Sequence, residues 1–102
     1  MPAYVIADVS VSDPEQYKSY MALSPQAIAE AGGRFLVRGG RSETLEGDWT
    51  PGRLVVAEFA STEQARAFYD SALYREARAK RAGATHHFNM IVVEGVDAGA
   101  RA

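Results

Sequence analysis

The sequence contains no cysteine. Disulfides, thiolate metal sites and cysteine nucleophiles are therefore excluded. It also lacks any apolar run near the ~20 residues that span a bilayer. Its first residues, MPAYVIADVS, have no basic segment followed by an unbroken apolar stretch, so they do not read as a signal peptide. A cytoplasmic location is the resulting expectation. Neither sign of charge dominates, since 11 Lys and Arg against 13 Asp and Glu leave a net charge of −2. No global positive field recruits nucleic acid or anionic lipid, so neither is expected as a partner. A phosphate loop, a dinucleotide fingerprint and a Gly-x-Ser-x-Gly elbow are missing as well. No cofactor is expected. Two histidines, His86 and His87, are adjacent. On a strand they point to opposite faces, and no metal site is expected from them.

What remains suits a small soluble domain. The 102 residues are 47% hydrophobic and 24% charged, ordinary values for a globular chain. A chain of this size buries roughly 60–70% of its unfolded surface. Residues 1–96 read as one domain. The tail 97–102, DAGARA, is small and polar and reads as flexible.

AYVIADVSV alternates and is rich in β-branched residues, which predicts a strand. SDPEQ follows, with Asp13 as helix cap, Pro14 in the first turn and Gln16 three residues after the cap. The helix carries Tyr17, Tyr20, Met21, Ala27, Ile28 and Ala31 on one face. Pro25 lies within it and predicts a kink or split near Ser24. Gly32 and Gly33 end it. RFLVRGG and GRLVVAEFA read as strands joined by a hairpin connection. STEQ repeats the capping logic before a second helix, and THHFNMIVVEG is the last strand. Gly39 and Gly40 predict a bulge or strand kink.

The order β-α-β-β-α-β predicts an α+β, ferredoxin-like fold, with a four-stranded antiparallel sheet and two helices on one face. The crossover rule suggests that the first and third strands lie side by side and parallel. Strand periodicity then sorts the side chains. One parity (Val5, Ala7, Val9, Phe35, Val37, Val55, Ala57, Phe59) is apolar and suits the helix-covered core. The other (Ile6, Asp8, Arg34, Leu36, Arg38, Leu54, Val56, Glu58, His87, Ile91, Val93) mixes apolar and charged groups. A mixed face of that size predicts a partner, here a homodimer whose sheets face each other across a cleft.

Asp8, Glu58 and His87 are the candidate proton-transfer residues of that cleft. Paired carboxylates raise one pKa toward neutrality. Arg38 would bind an anionic group, or form a structural ion pair with Glu58. Tyr17, Tyr20 and Trp49 complete the ligand candidates, the tyrosines serving equally as core. YREARAKR, with Arg75, Arg78, Lys80 and Arg81, could attract an anionic group, but such a run is more often a solvated helix face, and it is read as one.

Ordered along the chain stand Asp13-Pro14 with Tyr17 and Tyr20, Gly32-Gly33-Arg34 and Arg38-Gly39-Gly40. Leu45-Glu46-Gly47-Asp48-Trp49, Arg53, Glu58-Phe59, and Ser71 with Tyr74 and Arg81 follow. This set resembles the bacterial domain of unknown function family 1330 over about residues 3–96. One departure is Phe68, where that family commonly has tryptophan. The resemblance implies the dimeric α+β barrel superfamily. It includes cofactor-independent monooxygenases, haem-degrading enzymes, lactone isomerases and ligand-sensing domains. The implied function is a dimer with a small-molecule cleft for an anionic or aromatic ligand, monooxygenase-like or isomerase-like if catalytic. The alternative is a non-catalytic ligand-binding or structural dimer.

Overall fold

A computed structural model describes residues 1–96. The predicted flexible tail lies outside the described residues. Four strands, β1 (Ala3–Val11), β2 (Arg34–Arg38), β3 (Arg53–Phe59) and β4 (Thr85–Glu94), form one sheet in the order β2-β3-β1-β4. Every neighbouring pair is antiparallel. β1 and β3 are thus adjacent, as expected, but antiparallel rather than parallel. The crossover returns β2 in the direction of β1 one place further out. The hairpin connection then reverses the chain into the gap.

Helix α1 (Pro14–Glu30) starts where Asp13 accepts a hydrogen bond from the Gln16 backbone N–H at 3.1 Å. The capping box is half made. The Gln16 side chain donates to the Lys80 and Ala82 carbonyls instead, at 3.1 and 2.7 Å, which ties α1 to the end of the last helix. Gly32, at φ 81°, and Gly33 close α1 with paired hydrogen bonds to the Ala29 and Ile28 carbonyls. The expected split at Pro25 does not occur, and the helix runs through it. Pro25 has no N–H for the Met21 carbonyl four residues back. The Arg38 guanidinium reaches that carbonyl from β2 at 3.4 Å.

The second helical stretch is two helices, α2 (Thr62–Asp70) and α3 (Ala72–Arg81). Ser71 separates them. Its hydroxyl donates to the Phe68 carbonyl at 2.7 Å and accepts from the Tyr74 N–H at 3.1 Å. One serine thereby ends one helix and caps the next.

The core lies between the helices and the predicted apolar parity of the sheet. Val5, Ala7, Val9, Ala57 and Phe59 pack there against Tyr17, Tyr20, Ile28, Phe68 and Tyr74. Phe59 and Phe68 stack at 5.3 Å. Each ring contributes roughly 1.5–3 kcal/mol by leaving water. The opposite face of the sheet has no helix over it. Ile91 and Val93 are 60% and 44% exposed there, which leaves the sheet with one dry face and one open face. Among the described residues no helix is long and apolar enough to cross a membrane.

The Pro25 finding yields a prediction. Pro25→Ala restores the missing helical N–H and should raise stability by about 1–2 kcal/mol in urea denaturation. In that background Arg38→Gln should cost less than it does beside Pro25. Equal costs in both backgrounds would show that the guanidinium does not serve the Met21 carbonyl.

Candidate functional site

The expected site does not assemble as one unit; the sheet divides its residues into three places. The first lies on the open face. Asp8 sits opposite Leu54 on β3 and Asn89 on β4. Its carboxylate accepts from the Trp49 indole N–H at 3.0 Å and from the Gly52 N–H at 2.9 Å. The His87 Nε2 lies 3.2 Å away. Gly52 is required there, because a side chain would strike the Val9 carbonyl. The Trp49 hydrogen bond, then Gly52, then His87 hold the Asp8 carboxyl below its ordinary value of 3.8. Trp49 remains 62% exposed on this face.

Glu58 is elsewhere. It pairs with Tyr4 and Arg34, four residues along β3 from Leu54, or about 13 Å from the Asp8 end. It accepts a 2.8 Å hydrogen bond from Arg34 Nε. The anticipated coupling of Asp8 with Glu58 is therefore absent, and the Asp8 pKa falls rather than rises. The antiparallel direction of β3 is the reason. The proposed Arg38–Glu58 ion pair is replaced by Arg34–Glu58.

Arg38 has changed faces. The β2–β3 register shifts between Phe35 and Val37, so that Val37 pairs with Val56 and Arg38 with Val55. Leu36 is the extra residue of a bulge. The bulge was expected at Gly39-Gly40. Instead Gly39, at φ 73°, ends the strand and donates to the Leu54 carbonyl at 2.7 Å. A one-residue slip exchanges the two faces. Val37 joins the open face, and Arg38 stacks at 4.7 Å on Phe35, on the helix side.

There Arg38 joins Tyr17, Tyr20, Ser24 and Arg53 around a chamber of about 30 Å3 beneath α1. Tyr20 is a core residue, its hydroxyl 2.7 Å from that of Tyr74. Burial, and then Tyr74, push the Tyr20 hydroxyl far above the usual tyrosine range. Burial also raises Tyr17 above 10.0, against the opposing pull of Arg53, Arg81 and Arg38. Tyr17 is thus a neutral hydroxyl among cations.

Beside the chamber a wider cleft of about 600 Å3 opens between α2, α3 and β4. Phe88, Met90 and Val92 form its floor, Phe68 and Tyr69 one wall, and Arg78 and Arg81 the other. The two arginines correct the solvated-face expectation, because both turn inward. Arg78 lies 4.2 Å over Tyr69, and Arg81 lies 3.6 Å over Phe88 and 5.2 Å over Tyr20. Their Nε atoms are buried without hydrogen-bond partners. Among the described residues neither forms an ion pair. Arg78 and Arg81 take up the anion-attracting reading of YREARAKR that the solvated-face reading outweighed, and Arg53 was not among the expected site residues. Arg53 was findable, since it continues the core parity of Val55, Ala57 and Phe59. Among the described residues, no three His, Cys, Asp or Glu side chains converge as a metal site would need.

With the geometry in view, the comparisons define the protein's class. The Domain of unknown function (DUF1330) family matches residues 2–96, and the chain belongs to that family. A protein of unknown function from Rhodopseudomonas palustris shares its fold at TM-score 0.76 and 20% identity, covering 94% of this chain and 83% of that one. A dimeric ferredoxin-like protein of unknown function from a Jannaschia species aligns at TM-score 0.68 and 10% identity, over 93% and 100% of the two chains. A putative antibiotic biosynthesis monooxygenase from Caulobacter crescentus aligns at TM-score 0.62 and 18% identity, over 94% and 91%. At these identities the likeness shows a ferredoxin-like α+β fold. No curated protein matches the chain.

The Asp8 network makes a pH prediction. A carboxyl held low in the folded state contributes stability that is complete above about pH 4 and is lost as pH falls through the folded pKa. Trp49 is the only tryptophan. Its emission should shift as acid protonates Asp8, before global unfolding, and Asp8→Asn should abolish that early shift. An unchanged early shift in Asp8→Asn would assign it to another group.

Proposed function

We propose that this protein is a homodimer that binds a small molecule bearing an anionic group in the helix-side cleft. The observation that carries the reading is that Arg78 and Arg81 line an open cavity of about 600 Å3 with, among the described residues, no carboxylate paired to either and with both Nε donors buried and unpartnered. Buried polar groups are nearly always hydrogen-bonded, so two orphan donors on arginines that line one cavity set those arginines apart from ordinary packing. The volume falls within the roughly 300–1,000 Å3 of small-molecule pockets. Aromatic rings line it, but Arg66, Asp70, Arg78 and Arg81 make its exposed surface more polar than apolar, which suits a charged ligand. Arginine suits the role, because its planar fork pairs with carboxylate oxygens.

The open face supports the dimer. Ile91 and Val93 are exposed, and Val37 is turned to their side by the bulge. Apolar residues grouped on an uncovered sheet face fit a partner. Relatives from Jannaschia, Bacteroides fragilis and Thermobifida fusca are dimeric ferredoxin-like proteins. In this reading Asp8, His87 and Trp49 belong to the interface and the ligand lies behind it. The proposal is one of binding, because a fold shared with putative monooxygenases does not carry a reaction. Asp70 is the only carboxylate of the cleft lining.

Native mass spectrometry of freshly purified protein tests both halves. The expected species is near twice 11.0 kDa, with an added small mass that Arg78→Gln/Arg81→Gln loses. A monomer refutes the interface. A dimer that keeps its added mass in the variant places the ligand outside the cleft.

A further inference from the structure

Resting on the cleft as a ligand site, we infer that its ligand is two-headed: an apolar body with an oxyanion at each end, as in an α,ω-dicarboxylate. The first head belongs to Arg78 and Arg81. The second has its own receptor beneath α1.

That receptor is the chamber of Tyr17, Arg38 and Arg53. Tyr17 is 3% exposed and stays a neutral donor at physiological pH, because burial raises its hydroxyl. The charged groups acting on it are Arg53, Arg81 and Arg38, from β3, α3 and β2, and no carboxylate acts among them. Among the described residues Arg38 and Arg53 form no ion pair. Gly39 leaves the space that the Arg53 guanidinium occupies, where any Cβ would collide with it. Arg53 is half-buried, and a partly desolvated cation without a counter-charge is costly unless an anion joins it.

The dimensions favour a head and not a body. About 30 Å3 is somewhat more than the roughly 10–15 Å3 of free space that one water needs, room for a small polar head and not for a ring. Val5, Phe68, Phe88 and Met90 line both the chamber and the cleft. These four apolar residues are common to both linings, so the two cationic groups lie on either side of one shared apolar layer. Arg81 stands between, lining the cleft while its charge is felt at Tyr17. A ligand with one anionic end would leave one of the two groups unanswered.

Calorimetric titration at constant ionic strength provides the test. The probes are dicarboxylates from succinate to sebacate and monocarboxylates of matched chain length. One diacid length is expected to bind about tenfold more tightly than its monoacid, the gain of one charge-assisted head. Tyr17→Phe and Arg53→Gln should narrow that gap chiefly by weakening the diacid. Tyr17→Phe deletes only a hydroxyl, so it reports even if Arg53→Gln fails to fold. Arg78→Gln should weaken both series. Monoacids binding as tightly as diacids at every length would overturn the two-headed ligand and leave the cleft standing. So would a gap that Tyr17→Phe leaves unchanged. Binding of neither series would overturn both readings.

Discussion

Alternation along β1 sorts the molecule into two chemistries. The strand is hydrogen-bonded on both edges, so its side chains have only two directions to take. Val5, Ala7 and Val9 meet the helices, whereas Ile6 and Asp8 meet the open face. The partners follow suit, because directly paired residues share a side. Asp8 thereby collects Trp49 and Gly52 from the β2–β3 connection and His87 from β4. Four residues along β3, Glu58 meets Arg34. The helix side receives Arg38, Arg53, Arg78 and Arg81 with aromatic rings for neighbours. Acids bonded on one face and arginines gathered behind the other are consequences of one central register.

Arg38 shows how narrowly that sorting is set. Without the extra residue at Leu36 it would face out beside Leu54 and Val56. With it, the guanidinium reaches the Met21 carbonyl that Pro25 leaves without a helical donor. The proline and the bulge make sense together. A proline inside a helix costs about 3 kcal/mol or more, partly through the unpaired carbonyl, and a donor from the sheet offsets part of it. The contact also ties α1 to β2 beside the chamber beneath Tyr17.

Much of this was legible in the residues. Period-two runs located all four strands, and capping residues Asp13 and Ser61 located α1 and α2. The core parity was read correctly from Val5 to Phe59, apart from Val37. The failures have physical causes. A bulge adds one residue without any marker in the sequence, and Leu36 looks like any strand leucine; Arg38 and Val37 were therefore assigned to exchanged faces. Asp8 and Glu58 were brought together by a wrong relative direction of β1 and β3, not by wrong strands. Ser71 was read within a continuous helix, because its hydroxyl serves two helix ends at once. Arg78 and Arg81 resembled a solvated run, because composition does not reveal which part of α3 overhangs β4.

Those two arginines also explain why the cleft stays open. Val92 has core parity yet is 38% exposed, since the helices do not close over that end of β4. A leucine at position 81 could cover Phe88 and seal the gap with ordinary packing. Arg81 instead lays a guanidinium on the ring at 3.6 Å and keeps a buried donor free. Guanidinium is more weakly hydrated than ammonium and stacks on aromatic faces, so it tolerates this position where lysine would withdraw to water. The arrangement leaves local stability unrealised, because an orphan buried donor costs about 1–3 kcal/mol. A fold with a modest core has little reason to retain two such donors beside an open cavity unless an acceptor arrives there. Strain of this kind, set against an otherwise well-satisfied core, favours a ligand site over a gap in packing.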